Sequence, residues 1–471
     1  MAGLYVLWFV VSRPFGGYAT LVAFADSRYQ SVAPFFYLSR GLSAVMGTIT
    51  GWFVFALCRR AFDDTVALVA AFFTALAYLY VRDSHFGTTD VTMTALVVLA
   101  VASVVRWQDQ GGVGNAALVG LTAGLAASVK YNGLGVFVPF AVAWTLRAAG
   151  ATSWSVVRRD TIAAGAAAAV FVLTFLAASP FILIEWHRFL QDVVEPAQML
   201  NSEFAGLSLV GWSHYAAVTL PAALGWPMYA AGVAGMLGSL IVRFRRTAVV
   251  FAFPIAYYAV AGAGRTAFAR YILPVVPFLC ISAAWLVVEA ARWAVHARFE
   301  RARAVIVGML AGLVVWPSAR NDVLLDRILT RADNRLVAAR ALVGVIPPGS
   351  LVYHSGDPYG RIAFDVQEVN LTLNECDYDE ATGRFTPDGR LPAWIILQRS
   401  PLVWYSRMPA GVERIVRERY DLVRRFPAGA RSPDAVYDQQ DAFFLPLTGL
   451  EKTIRPGPDF EIYRLRSAQS R

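Results

Sequence analysis

Lysine is almost missing from this 471-residue chain: Lys130 and Lys452 stand against forty arginines. Charge of either sign is scarce. Charged residues make up 16% of the chain and hydrophobic ones 57%, whereas a soluble domain carries about 25% charged residues. That shortage excludes an ordinary soluble fold. Cysteine is rare too. Cys58, Cys280 and Cys376 form no metal-binding spacing and no disulfide framework; the first two sit in apolar runs, where cysteine serves as a small apolar filler. No phosphate loop and no G-x-S-x-G element is present. No internal repeat is visible, which argues against a transporter built from inverted halves.

What is present is a series of long apolar stretches. Ten of them read as spans, at roughly 33–57, 65–81, 91–105, 113–129, 132–147, 161–184, 215–242, 247–262, 271–290 and 304–317. Several are shorter than the ~20 residues an untilted span needs, and 113–147 reads equally as a tight hairpin. The fold class expected is a polytopic α-helical membrane protein. Residues 1–32 would form an outer segment, 33–319 the membrane domain, and 320–471, rich in Arg, Asp and Pro, a soluble α/β domain. In that last part, helices are expected at 331–345 and 409–418 and strands at 350–353, 393–397, 420–426 and 460–465.

Arginine placement orients the chain. Arg59-Arg60, Arg147 with Arg158-Arg159, Arg243 with Arg245-Arg246, and Arg292, Arg298, Arg301 and Arg303 all fall on one side when ten spans alternate. By the positive-inside rule that side is cytoplasmic. The loops 84–90, 130–132, 185–214 and 264–270 and the C-terminal domain then face outward. The expected location is the bacterial cytoplasmic membrane. The net charge of +9 calls for no nucleic acid, because most of it is this loop signal. Met1 would begin on the outer side with no basic leader and only the short apolar run 4–11. The start is therefore expected to be internal, with a span upstream.

The outer loops hold the candidate chemistry. Asp90 stands at the mouth of a span, where a carboxylate is costly unless it binds something. It either caps the following helix or holds a metal or an acceptor. His85, five residues earlier, is either an interface residue or a ligand; Arg82 and Asp83 beside it can pair with each other. Lys130 either snorkels to headgroups or holds a phosphate as a point charge. Arg270, preceded by Arg265, is a cation on the side where cations are otherwise few, suited to a phosphate or to Glu185. Arg40, near the outer end of the first span, is a further cation for the same cavity. The 185–214 loop carries Trp186, His187, Asp192 and Glu195 and reads as an interfacial amphipathic segment or a sugar-binding one. His354 to Asp357 is a turn or a site-like loop.

Four stretches resemble a known family. They are 36–48 (FYLSRGLSAVMGT), 84–94 (SHFGTTDVTMT), 124–133 (GLAASVKYNG) and, more loosely, 270–277 (RYILPVVP). Each motif is weak alone; their order and spacing over about 30–320 are similar to bacterial GT-C membrane glycosyltransferases related to protein O-mannosyltransferases and aminoarabinose transferases. The resemblance implies transfer of a sugar from a polyprenyl-phosphate donor to a glycan, lipid or protein acceptor at the outer face. It implies that Asp90 is the second-loop acid, which in some relatives helps bind a divalent metal. The family's catalytic acid lies in the first outer loop, which precedes this chain, and Asp26 does not match its motif. A catalytically incomplete relative, or a lipid or solute transporter, is the competing expectation.

Overall fold

In the computed structural model each of the ten apolar stretches lies mainly on helix, but not every helix is long enough to cross a bilayer. The structure describes residues 2–466 apart from 16, 31–32, 202–209, 296–297, 367 and 431–433. The chain divides into two compact units, one of Met1–Ser202 with Leu209–Asp322 and one dominated by Val323–Arg471.

The first unit is helical. Its helices are α1 Ala2–Ser12, α2 Leu21–Gln30, α3 Ala33–Ala61, α4 Asp64–Ala75, α5 Tyr78–Ser84, α6 Thr89–Gln110, α7 Val113–Val129, α8 Phe137–Ala149, α9 Trp154–Ala178, α10 Trp186–Asn201, α11 Gly211–His214, α12 Leu220–Leu224, α13 Trp226–Val242, α14 Phe244–Gly262, α15 Val276–Ala294 and α16 Glu300–Leu329, the last continuing past the division. Among the described residues five helices are long and apolar enough to span a membrane, or up to seven if two bent pairs each count as one. The expected ten spans are not confirmed by this measure. The physical reason is length: α7 has 17 residues and α8 has 13, about 25 and 20 Å of helix against a ~30 Å hydrocarbon core.

Both bends have a local cause. α4 and α5 meet at 56°, and the N–H of Tyr78 at the break donates to Ser318 Oγ at 2.8 Å. The 117° corner before α13 turns on Gly225 at φ 75°, a conformation that disfavours other residues. Small residues let helices approach closely elsewhere. A Cβ on Gly120 would overlap the Ala167 carbonyl of α9, and one on Gly235 the Ser282 carbonyl of α15. Gly120 and Gly124 form the small-xxx-small spacing that suits such contact in lipid.

The loops read from sequence as basic gather at one end of this unit. Gln108 Nε2 donates to the Arg245 carbonyl at 2.7 Å and Arg245 to the Leu146 carbonyl at 3.1 Å. Arg147 forks onto Asp160 at 2.9 and 3.2 Å, and Arg292 reaches Asp63 at 2.7 Å.

Among its described residues the second unit contains helices α17 Asn334–Leu342 and α18 Ala410–Arg419 and nine strands: β1 Leu351–His354, β2 Asn374–Cys376, β3 Tyr378–Asp379, β4 Arg384–Phe385, β5 Trp394–Arg399, β6 Tyr420–Phe426, β7 Val436–Tyr437, β8 Pro446–Thr448 and β9 Asp459–Leu465. Five form one sheet in the order β2-β1-β5-β9-β6. β1 runs parallel to β2 and β5, and β9 antiparallel to β5 and β6. The pleat sorts the side chains of the central strands. Val352, Trp394, Ile396, Phe460 and Ile462 pack with Ala338 and Leu342 of α17. Tyr353, Ile395 and Leu397 pack with Val412 and Val416 of α18. The sheet is thus covered on both faces, which explains the unbroken burial of β5.

His354 belongs to this core. Its Nδ1 lies 2.9 Å from the Ser355 carbonyl and its Nε2 accepts from the Ile362 N–H at 3.1 Å. The Nδ1–H tautomer satisfies both bonds, and the residue is structural. Burial drives its pKa down to about 3; the Arg361 guanidinium adds to the effect and the Ser355 carbonyl opposes it. An unfolded histidine binds its proton near pH ~6.5. Between those values the unfolded chain holds more protons, so stability is full above ~6.5 and falls as pH drops, by at most ~1.4 kcal/mol per pH unit. Hydrogen-exchange protection of the β1 amides in the full chain should therefore decrease by about 2 kcal/mol from pH 6.5 to 5. A slope that persists in His354→Gln would assign it to other groups.

Candidate functional site

The 84–90 loop is held in place by one face of α3. Ser39, Ser43, Gly47 and Thr50 recur at helical spacing; the first two face the turn between α5 and α6 and the last two face α5 itself. A Cβ on Gly87 would collide with the Ser39 side chain, and one on Gly47 with Ser84. Ser43 Oγ donates to the Thr88 carbonyl at 3.3 Å. Thr50 Oγ1 and Tyr80 OH are 2.7 Å apart, and Ser84 Oγ donates to the Tyr80 carbonyl at 2.7 Å. The small and hydroxylic residues of the first motif thus form a flat shelf that fixes the second.

This shelf sets Asp90 at the second position of α6, where it is only 3% exposed. Thr88 at the N-cap makes no side-chain cap bond. The Asp90 carboxylate accepts from Lys130 Nζ at 2.6 Å. Lys130 follows the last turn of α7 in extended backbone. The turn beyond it, Tyr131–Val136, is a 3-10 helix and packs tightly because Gly133 lies on the Ala126–Ala127 backbone. The ammonium also sits 4.6 Å from the centre of the Tyr271 ring, within cation–π range. Tyr271 stands in the 3-10 segment Ala269–Val275 that leads into α15. Arg270, next to it, lies 5.0 Å from the Phe268 ring and 6.0 Å from that of Tyr271. Asn132 Nδ2 donates to Tyr257 OH of α14 at 3.2 Å. Above Lys130, Phe189 of α10 packs edge-on against Tyr131 at 5.7 Å.

Three of the residues singled out from sequence, Asp90, Lys130 and Arg270, therefore come together around Tyr271. Their spacing along the chain suggests separate sites for Asp90 and Lys130, one for a metal or acceptor and one for a phosphate; they form one ion pair. The metal expectation at Asp90 does not fit. Among the described residues no three His, Cys, Asp or Glu side chains gather, and an ammonium at 2.6 Å on the carboxylate opposes a divalent cation there. His85 is exposed and engages the Val81 carbonyl of its own helix through Nδ1 at 2.9 Å. Arg82 and Asp83 pair at 3.0 Å, both buried. Arg40 is exposed, 5.9 Å from the Phe36 ring. Glu185 and Asp192 are exposed as well. Asn132 belongs to the third motif, whereas Tyr257 carries no sequence signal of its own: in a chain with 13% aromatic residues a tyrosine in a span does not stand out.

Residues 39–184 match the family model described as dolichyl-phosphate-mannose-protein mannosyltransferase. Over that stretch the chain is similar to this family. The stretch includes the α3 shelf, Asp90 and Lys130, but less than a third of the chain, and Arg270 and Tyr271 lie outside it. No curated protein matches the chain by sequence. Solved structures with a similar course include ArnT from Cupriavidus metallidurans bound to undecaprenyl phosphate, 14% identical with a TM-score of 0.48, covering 90% of this chain and 83% of that one. Others are the archaeal oligosaccharyltransferase AglB from Archaeoglobus fulgidus, in complex with an inhibitory peptide and a dolichol-phosphate (15%, TM-score 0.43, 72% and 53%), and the arabinofuranosyltransferase AftD from Mycobacteria (14%, TM-score 0.43, 98% and 35%). The match spans about half the length of AglB.

Proposed function

We propose that this chain is a GT-C glycosyltransferase that takes a sugar from a polyprenyl-phosphate donor and passes it to an acceptor at the outer face of the bacterial cytoplasmic membrane. The observation that carries this reading is the cluster of two cations, Lys130 and Arg270, around Tyr271 at the end of the unit away from its basic loops. In the transfer, the acceptor's bond to the sugar carbon forms as the bond from that carbon to the phosphate oxygen breaks. The departing polyprenyl phosphate gains negative charge. Lys130 and Arg270 stabilise that charge, which is where preorganised cations act most strongly. The acceptor's proton would go to the first-outer-loop carboxylate that the family resemblance implies. Asp90 positions Lys130 through the 2.6 Å contact. Tyr131 and Phe189 offer an apolar flank for the isoprenoid next to the phosphate.

Arg270 provides the direct test, because its removal leaves the Asp90–Lys130 pair intact. A charge-assisted contact contributes ~1.5–3 kcal/mol. Arg270→Gln should weaken binding of undecaprenyl phosphate to the purified protein by roughly ten- to a hundredfold. Unchanged affinity would remove Arg270 from the donor site.

The outward placement of residues 320–471 belongs to the same reading and rests on the arginine loops. Alkaline phosphatase fused after Arg320 should be active. An inactive fusion in a well-expressed protein would reverse the orientation.

A further inference from the structure

Far from Asp90, the basic end of the helical unit holds a cavity of about 670 Å³ between the C-terminus of α3 and the corner joining α13 to α14. Four arginines line it: Arg60, Arg243, Arg245 and Arg246. Acidic partners are too few to neutralise them. Asp109 takes Arg246 at 3.2 Å. Glu289 lies 3.7 Å from Arg243 but is held more closely by Arg292, at 2.8 Å. Among the described ion pairs no carboxylate reaches Arg60 or Arg245; Arg245 donates to the Leu146 carbonyl. Beside these guanidiniums the wall turns apolar. Ile241 is 83% exposed, and Val242 and Phe244 are similarly bare.

We propose that this cavity binds one anionic phospholipid. Its phosphate lies between Arg60 and Arg245, and its acyl chains run along Ile241, Val242 and Phe244. Guanidinium forks match phosphate oxygens, and excess positive charge at a bilayer surface attracts anionic headgroups. A free phosphate would satisfy the arginines but leave the apolar wall uncovered, so the head-to-tail change along the cavity selects a lipid. Arg60 and Arg245 belong to different helices, so the lipid would tie α3 to the α13–α14 corner. The inference needs the chain to lie in a membrane, but it does not depend on the chemistry at Asp90.

The test uses the full chain in detergent, titrated with phosphatidylglycerol, phosphatidylcholine or glycerol phosphate and followed by native mass spectrometry. One phosphatidylglycerol should be retained, at least tenfold more tightly than phosphatidylcholine or glycerol phosphate. Arg60→Gln/Arg245→Gln should lower that affinity at least tenfold. Arg298→Gln/Arg301→Gln, which removes the same charge from another basic loop, should change it less than twofold. An equal loss in both pairs would reduce the effect to diffuse surface charge and overturn the site. Glycerol phosphate binding as tightly as the lipid would overturn the acyl assignment. If the double variant does not fold, Arg60→Gln alone, on an exposed side chain, should still weaken phosphatidylglycerol binding severalfold; an unaltered affinity would overturn the proposal.

Discussion

Asp90→Asn is expected to slow sugar transfer by about a hundredfold or more while the protein stays folded. The substitution keeps the shape and one oxygen that Lys130 can approach, but it removes the charge that fixes the ammonium 2.6 Å away. A displacement of about 1 Å in a positioning group can cost 10²-fold. Folding should change little, for two reasons. Asn serves nearly as well as Asp near a helix start. The orphaned Lys130 side chain, 26% exposed, can turn to water. The measurement is single-turnover transfer from a lipid-linked sugar in parallel with thermal unfolding. Wild-type turnover in the Asn variant would leave Asp90 as a structural residue only.

Lys130→Gln should behave in the opposite way and cost about 2–4 kcal/mol of stability. The asymmetry follows from burial. Asp90 is 4% exposed at its side chain, and removing its cation leaves an uncompensated charge among apolar spans. The double variant Asp90→Asn/Lys130→Gln, with both charges gone, should regain most of that stability and still fail to transfer sugar. A double-mutant cycle on unfolding free energy and on turnover separates the two roles. If the double variant is as unstable as Lys130→Gln, the buried carboxylate is not the source of the loss. If it transfers sugar normally, the ion pair has no place in the reaction.

Charge placement along the chain is enough to make the candidate residues visible. Asp90, Lys130 and Arg270 stand at the ends of apolar runs, where ionisable groups are expensive, and Lys130 is one of two lysines in the chain. Composition likewise determined the membrane class, and β-rich segments around 351–354, 394–399, 420–426 and 459–465 were legible from their apolar patterning. Strands of two or three residues, such as β2 and β3, carry too little pattern to be read. The apolar runs do not by themselves fix the number of spans, because hydropathy registers an apolar stretch but not where its helix breaks or how long it stays straight.

Which span ends are neighbours was decided only by packing. Asp90 and Lys130 are separated by 40 positions, and Tyr271 lies far beyond both; no local pattern states that α6, the end of α7 and the 3-10 segment before α15 converge. The same holds for the first motif. The motif was legible as a stretch, but only the contacts of Ser43 with Thr88, and of Gly47 and Gly87 with the serines facing them, show that its small residues form the shelf carrying Asp90. The sequence determined which residues could bear charge in an apolar surround, since that depends on composition within one run. The tertiary structure decided that two of those charges neutralise each other, since pairing depends on helix–helix approach. That approach is set by small residues such as Gly120, Gly124 and Gly133, whose partners lie elsewhere in the chain.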